Sequence, residues 1–116
     1  MRDGFYEWAC FAAQQAAEKA VKALIQSLRG EPWGHSVTGL IDALPENLKP
    51  HHLRDGAMEL DQAHIPSRYP NAHPAGSPGT AFTKKMSERL IEYGEQILAF
   101  CREEVSKVLR ERNKRP

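Results

Sequence analysis

Between Phe5 and Arg29 the chain contains neither proline nor glycine, and Ala, Gln, Glu, Lys and Leu dominate the run. These residues lose little freedom on entering a helix. A rod of about seven turns is therefore the element around which the rest of the chain must fold. Asp3 is placed to cap its start, and Arg29-Gly30 reads as its stop. Glu31-Pro32-Trp33-Gly34 breaks the pattern. Ser36 then predicts the cap of a short second helix running to Leu44, which Pro45 ends. A third helix is expected from near Pro50, with Leu53, Ala57 and Leu60 on one face. Four of the eight prolines, Pro66, Pro70, Pro74 and Pro78, fall in residues 65–80 together with Gly76 and Gly79, which predicts a loop. A second long helix follows from about Phe82 to Arg112. The expected fold is all-α, an up-and-down four-helix bundle with long first and last helices. It forms a single domain over 1–116, with a fraying basic tail from about 110 to 116.

Composition narrows the function classes. The 116 residues are 41% hydrophobic and 27% charged, as in a globular domain, and the formal charge of +1 excludes a polycation that coats nucleic acid by charge alone. No apolar run approaches the roughly 20 residues that cross a bilayer, and no basic-then-apolar leader opens the chain. A cytoplasmic protein with no membrane contact is expected. Cys10 and Cys101 are too few for a disulfide scaffold and read as two buried thiols rather than a redox pair. If the first and last helices pack antiparallel, the two cysteines lie at comparable heights.

The last helix is simply amphipathic. Phe82, Met86, Leu90, Ile97, Cys101, Val105 and Val108 share one half, and Glu88, Glu92, Glu95, Glu103 and Arg110 the other. In the first helix, Ala9, Ala13, Ala16, Ala20, Leu24 and Leu28 form the expected core stripe, while Glu7, Gln14, Gln15, Glu18, Lys22 and Arg29 form a polar sector. Phe11 and Ile25 project into that polar sector, with Trp8 at its edge. A helix that is apolar on two sides has two neighbours. The second is either another copy of the chain, making Trp8, Phe11 and Ile25 a homodimer interface, or the chain's own long loop.

Five histidines are present, four of them between residues 51 and 73. None forms an i,i+4 pair, and Asp61 with His64 is a lone weak pair, so no metal site is expected. Nucleophile-elbow, phosphate-loop and dinucleotide glycine motifs are all missing, and no cofactor is expected. Arg68 and His73 stand five residues apart in the proline-rich stretch. Arginine clamps phosphate bidentately and histidine moves protons near neutrality, the two groups that metal-free RNA cleavage needs. The alternative is a structural Arg68 bridged to Glu18 or Asp61, with His73 facing solvent. Glu18 and Lys22, at i,i+4, are either a surface pair or, with Gln15, part of a groove that receives Arg68. His35 reads as ordering the turn into the second helix, with a ligand role as the alternative.

The run Phe11-Ala-Ala-Gln-Gln-Ala-Ala-Glu-Lys-Ala-Val-Lys-Ala-Leu24, then Trp33-Gly-His-Ser36, then Ile65-Pro-Ser-Arg-Tyr-Pro70, resembles HEPN domains (higher eukaryotes and prokaryotes nucleotide-binding), specifically small stand-alone prokaryotic ones. The likeness extends to about Phe100. It implies a homodimeric helical bundle that works in a toxin–antitoxin or related RNA-processing system with a minimal nucleotidyltransferase as partner, and binds a nucleotide or RNA. Gln15, Glu18, Lys22, Tyr69 and Asn71 are the implied binding residues. Active relatives are metal-independent endoribonucleases with an Arg-x4–6-His motif, which falls here on Arg68 and His73; others only bind or scaffold. Several positions depart from the active pattern. Tyr69-Pro70 follows the arginine where a polar residue in a helix is usual, Asn71 replaces a common Asp, and Ala75 replaces the tyrosine of adenylylated toxins.

Overall fold

A computed structural model describes residues 2–68 and 82–114, which are helical with short connections. Helix α1 spans Arg2–Ser27, α2 Val37–Asp42, α3 Arg54–Arg68 and α4 Lys84–Asn113, with single 3-10 turns at Glu46–Leu48 and His51–Leu53 before α3. The four-helix, all-α architecture with long first and last elements is thus the one the sequence predicts.

The helix ends follow from local chemistry. At the end of α1 the Gly30 N–H reaches the Ile25 carbonyl (2.9 Å) and the Arg29 N–H the Gln26 carbonyl (2.9 Å), the paired bonds of a Schellman stop. The left-handed residue is Arg29 (φ 66°), not the glycine. Gly30 is needed for a different reason: a Cβ there would lie 3.0 Å from Ile25 Cγ2. Ser36 caps α2 by accepting from the Gly39 N–H, and Thr83 caps α4 by accepting from the Met86 N–H. Asp3, expected as the α1 cap, lies inside its first turn. The predicted loop begins later than residue 65, because α3 continues through Pro66 to Arg68. At the other end, α4 carries most of the predicted basic tail, and the Arg112 guanidinium donates to the Ser27 carbonyl.

Two corrections concern α1. First, α1 and α4 are parallel. Ala13 backs Gly94, where an added Cβ would sit 3.2 Å from the Ala13 carbonyl oxygen, and Ser27 meets Arg112. The six-residue α2 is too short to be a full return leg. The return is made by α3, which runs antiparallel to α4: Gly56 touches the Tyr93 ring and Glu59 accepts from Arg89 (3.0 Å) and from the Tyr93 hydroxyl (3.2 Å). Cys10 and Cys101 are therefore offset by about ten residues, roughly 15 Å of rise. Both are free and buried, and burial first of all pushes the thiols up to about 11 and about 12.

Second, the buried face of α1 is rotated from the alanine stripe. Cys10, Gln14, Ala17, Glu18, Val21, Leu24 and Ile25 are buried, whereas Ala16 is exposed and Ala9, Ala13, Ala20 and Leu28 are half-buried. Ile25 is 6% exposed, so its side chain belongs to this chain's own core. The reason is the second neighbour: α2 and α3 cover the side of α1 that carries Gln14 and Glu18, while the small alanines let α4 approach closely. The α4 stripe holds as expected, with Phe82, Leu90, Ile97 and Cys101 buried.

Candidate functional site

The polar residues that α1 buries lie where it meets the 33–38 connection and α3. Asp61, in the middle of α3, reaches across to the start of α2. Its Oδ1 accepts from the Val37 N–H (2.8 Å), and its Oδ2 accepts from the Thr38 N–H (2.9 Å) and the Ser36 hydroxyl (2.8 Å). A carboxylate from a distant helix thus satisfies backbone donors that a short helix leaves open. Gln14 ties α1 to the same junction, its Nε2 donating to the His35 carbonyl (3.0 Å). Gln15 Nε2 in turn donates to Gln14 Oε1 (2.8 Å).

Glu18 is the charged centre. Its side chain is 4% exposed, and Oε2 receives Lys22 Nζ at 3.0 Å and His35 Nδ1 at 3.1 Å. Burial alone would raise this carboxyl, but the hydrogen bonds from His35 and Lys22, with their charges, outweigh it and hold Glu18 below the ordinary carboxylate range. An ionised carboxylate only accepts, so His35 donates through Nδ1. The imidazole itself is 59% exposed. Next to it, Gly34 takes φ 83° and leaves Trp33 80% exposed.

Of the binding residues expected from sequence, Gln15, Glu18 and Lys22 come together here. Arg68 is the last residue of α3, seven residues and so about 10 Å along the axis from Asp61. Tyr69, Asn71 and His73 lie outside the described residues. Among the expected interface residues, Trp8 is 64% exposed, with its ring centroid 6.0 Å from that of half-buried Phe11, while Ile25 is internal. Sequence reasoning missed Gln14 and Asp61 as anchors and favoured a turn role for His35 over a ligand role. Asp61 left no signal because its partners are about 24 residues away. Gln14 is legible in part, as a polar residue next to Ala13 of the expected core stripe.

On the opposite side of α1, a shallow groove of about 350 Å³ runs between α1 and α4, floored by Ala12, Ala13, Ala16 and Gly94 and edged by Trp8, Ile91 and Leu98. Among the described residues no cluster of three or more His, Cys, Asp or Glu is arranged to hold a metal, and no helix is long and apolar enough to cross a membrane.

The chain is similar to three solved structures. TT1696 from Thermus thermophilus is 45% identical, with a TM-score of 0.77 over 87% of this chain and 80% of that one. ST0689, an archaeal HEPN homologue, is 36% identical, with a TM-score of 0.69 over 88% and 80%. A HEPN domain protein (tm0613) from Thermotoga maritima is 41% identical, with a TM-score of 0.63 over 89% and 82%. No curated protein matches. The HEPN-domain profile matches residues 1–105, and on this footing the chain belongs to the HEPN-domain family.

Proposed function

We propose that this HEPN domain acts as a nucleotide- or partner-binding helical homodimer in a nucleotidyltransferase-linked toxin–antitoxin or RNA-processing system. One observation carries the binding role. A buried carboxylate, Glu18, holds a lysine and a solvent-reachable imidazole at the junction of three elements, beside the exposed Trp33. Fixed polar groups beside an aromatic face suit a nucleotide or a partner's polar segment. HEPN domains commonly form dimers, and Trp8 with the α1/α4 groove is the face this chain offers a second copy.

Three measurements test this reading. Titration with nucleoside phosphates and co-purification with a co-expressed nucleotidyltransferase should each detect binding that Lys22→Ala weakens. Failure of both removes the binding role. Light scattering should give twice the chain mass, and a monomer at high concentration removes the dimer.

A second reading is a metal-independent endoribonuclease using Arg68 and His73. It is favoured by the extension of α3 through Arg68, which sets that residue on a helix rather than in the loop. RNA incubated with the protein in EDTA should then be cut by wild type and spared by Arg68→Ala and His73→Ala. Cleavage untouched by both changes removes it.

A further inference from the structure

We propose that the second copy packs on the α1/α4 face antiparallel to the first, about a twofold axis beside Leu98, with Glu95 of each chain paired to the partner's Arg102 and Trp8 of each laid over the partner's Ala23. This inference rests on the homodimer reading and adds to it the register and the residues that hold it.

The face is a continuous seam. The groove of about 350 Å³ that begins at Trp8 runs to Leu98, and from Leu98 a second hollow of about 280 Å³ continues along the same two helices, lined by Ala20, Ala23, Arg102 and Val105 among others. Large side chains stand at one end and small ones at the other. Phe5 and Trp8 are exposed at the start of α1, whereas Ala20 and Ala23 floor the far hollow. On α4, Ile91, Leu98 and Leu109 are exposed as well. Apolar groups set out this contiguously mark a contact surface.

The charges on the seam select the occupant. Glu95 lines the first hollow and Arg102 the second, and both are exposed. They are seven residues apart, about 10 Å along α4, beyond the three- and four-residue spacings at which side chains of one helix meet. Among the described residues neither is in an ion pair, although Arg89, Lys107 and Lys114 of the same helix are each bridged to a carboxylate. A chain turned end for end about Leu98 brings Glu95 opposite Arg102 twice, because the two positions flank Leu98 on either side. A partner of another sequence would have to supply both charges at that spacing, whereas a second copy supplies them by symmetry. Leu98 lines both hollows, so the same rotation exchanges them and sets the Trp8 hollow of one copy over the Ala23 hollow of the other. Because α2 and α3 cover the other side of α1, Glu18 and His35 stay outside this interface, and each dimer presents two separate junctions.

The test uses the full chain in low-salt buffer, with mass followed by light scattering across a concentration series and helix content by circular dichroism. Glu95→Arg and Arg102→Glu should each weaken the dimer by about tenfold or more, since each sets two like-charge pairs across the axis. Both changes in one chain should bring dimerisation back to within about threefold of wild type. An equimolar mixture of the two single variants should return to twice the chain mass, because each chain then meets the opposite charge on the other. If a charge variant loses helicity, Ala23→Trp decides: it fills the far hollow and should weaken the dimer by about tenfold, and an unchanged dimer overturns the proposal. A wild-type dimer that neither charge reversal weakens, or a loss that neither the double variant nor the mixture repairs, overturns this inference and leaves the homodimer reading to another face. A wild-type monomer at high concentration overturns both.

Discussion

The two sides of α1 are built on opposite principles. Toward α2 and α3 it buries Gln14 and Glu18 and closes the contact with directed hydrogen bonds. Toward α4 it presents alanines against Gly94 in the most extensive helix contact among the described residues, and leaves beside it a shallow apolar groove with Trp8 in solvent. One side specifies a unique junction through groups that are costly to leave unpaired. The other packs small residues closely and leaves an apolar groove at the surface. A single helix thus carries a hydrogen-bonded polar junction on one side and an apolar seam on the other.

Changes on the wired side should cost the most. Asp61→Ala leaves two backbone N–H groups and the Ser36 hydroxyl without their acceptor, and should destabilise the domain by about 2–4 kcal/mol in urea unfolding. Glu18→Gln should cost about 2 kcal/mol near neutral pH, because Lys22 and His35 lose their shared charge. Its pH dependence has a definite sign. The folded-state pKa of Glu18 is depressed from 4.5, so its contribution is complete above about 4.5 and is lost as pH falls through the lower folded value. The gap between wild type and Glu18→Gln should accordingly shrink in acid, and a constant gap from about pH 7 to about pH 3 would mean the ion pair contributes nothing.

Changes on the seam side and at the helix end should be smaller or appear elsewhere. Arg29→Gly should stabilise by about 1 kcal/mol, since it relieves a left-handed non-glycine residue while keeping the Schellman bonds. Trp8→Glu should leave the chain's own helix content unchanged and convert a dimer to monomer by light scattering. A loss of helicity instead would place Trp8 in the core and erase the contrast between the two sides.

Much of this was legible in the sequence, and the remainder was not for identifiable reasons. Helix propensity and the Ser36 cap located the elements, and the α4 stripe from Phe82 to Cys101 reads straight from its period. The α1 stripe did not, because hydrophobic periodicity assumes one buried face and takes polar residues as outward. Gln14 and Glu18 violate that assumption, since they are buried against His35, which is about 17 to 21 residues away. Helix direction misled in the same way. A six-residue α2 counts as an element in the sequence but does not reverse the chain as a full-length helix would, so α1 and α4 came out parallel. Of the site, Gln15, Glu18 and Lys22 were visible from spacing. The placement of His35 depends on Glu18 and Gln14, which arrive from elsewhere in the fold.

The central claim is that Glu18 and His35 work as one unit. A double-mutant cycle in urea unfolding, with Glu18→Gln, His35→Gln and the double variant near neutral pH, tests it most directly. Coupling of about 1 kcal/mol or more is the expected result. Additive single losses, with coupling near zero, would show that the carboxylate and the imidazole do not act together.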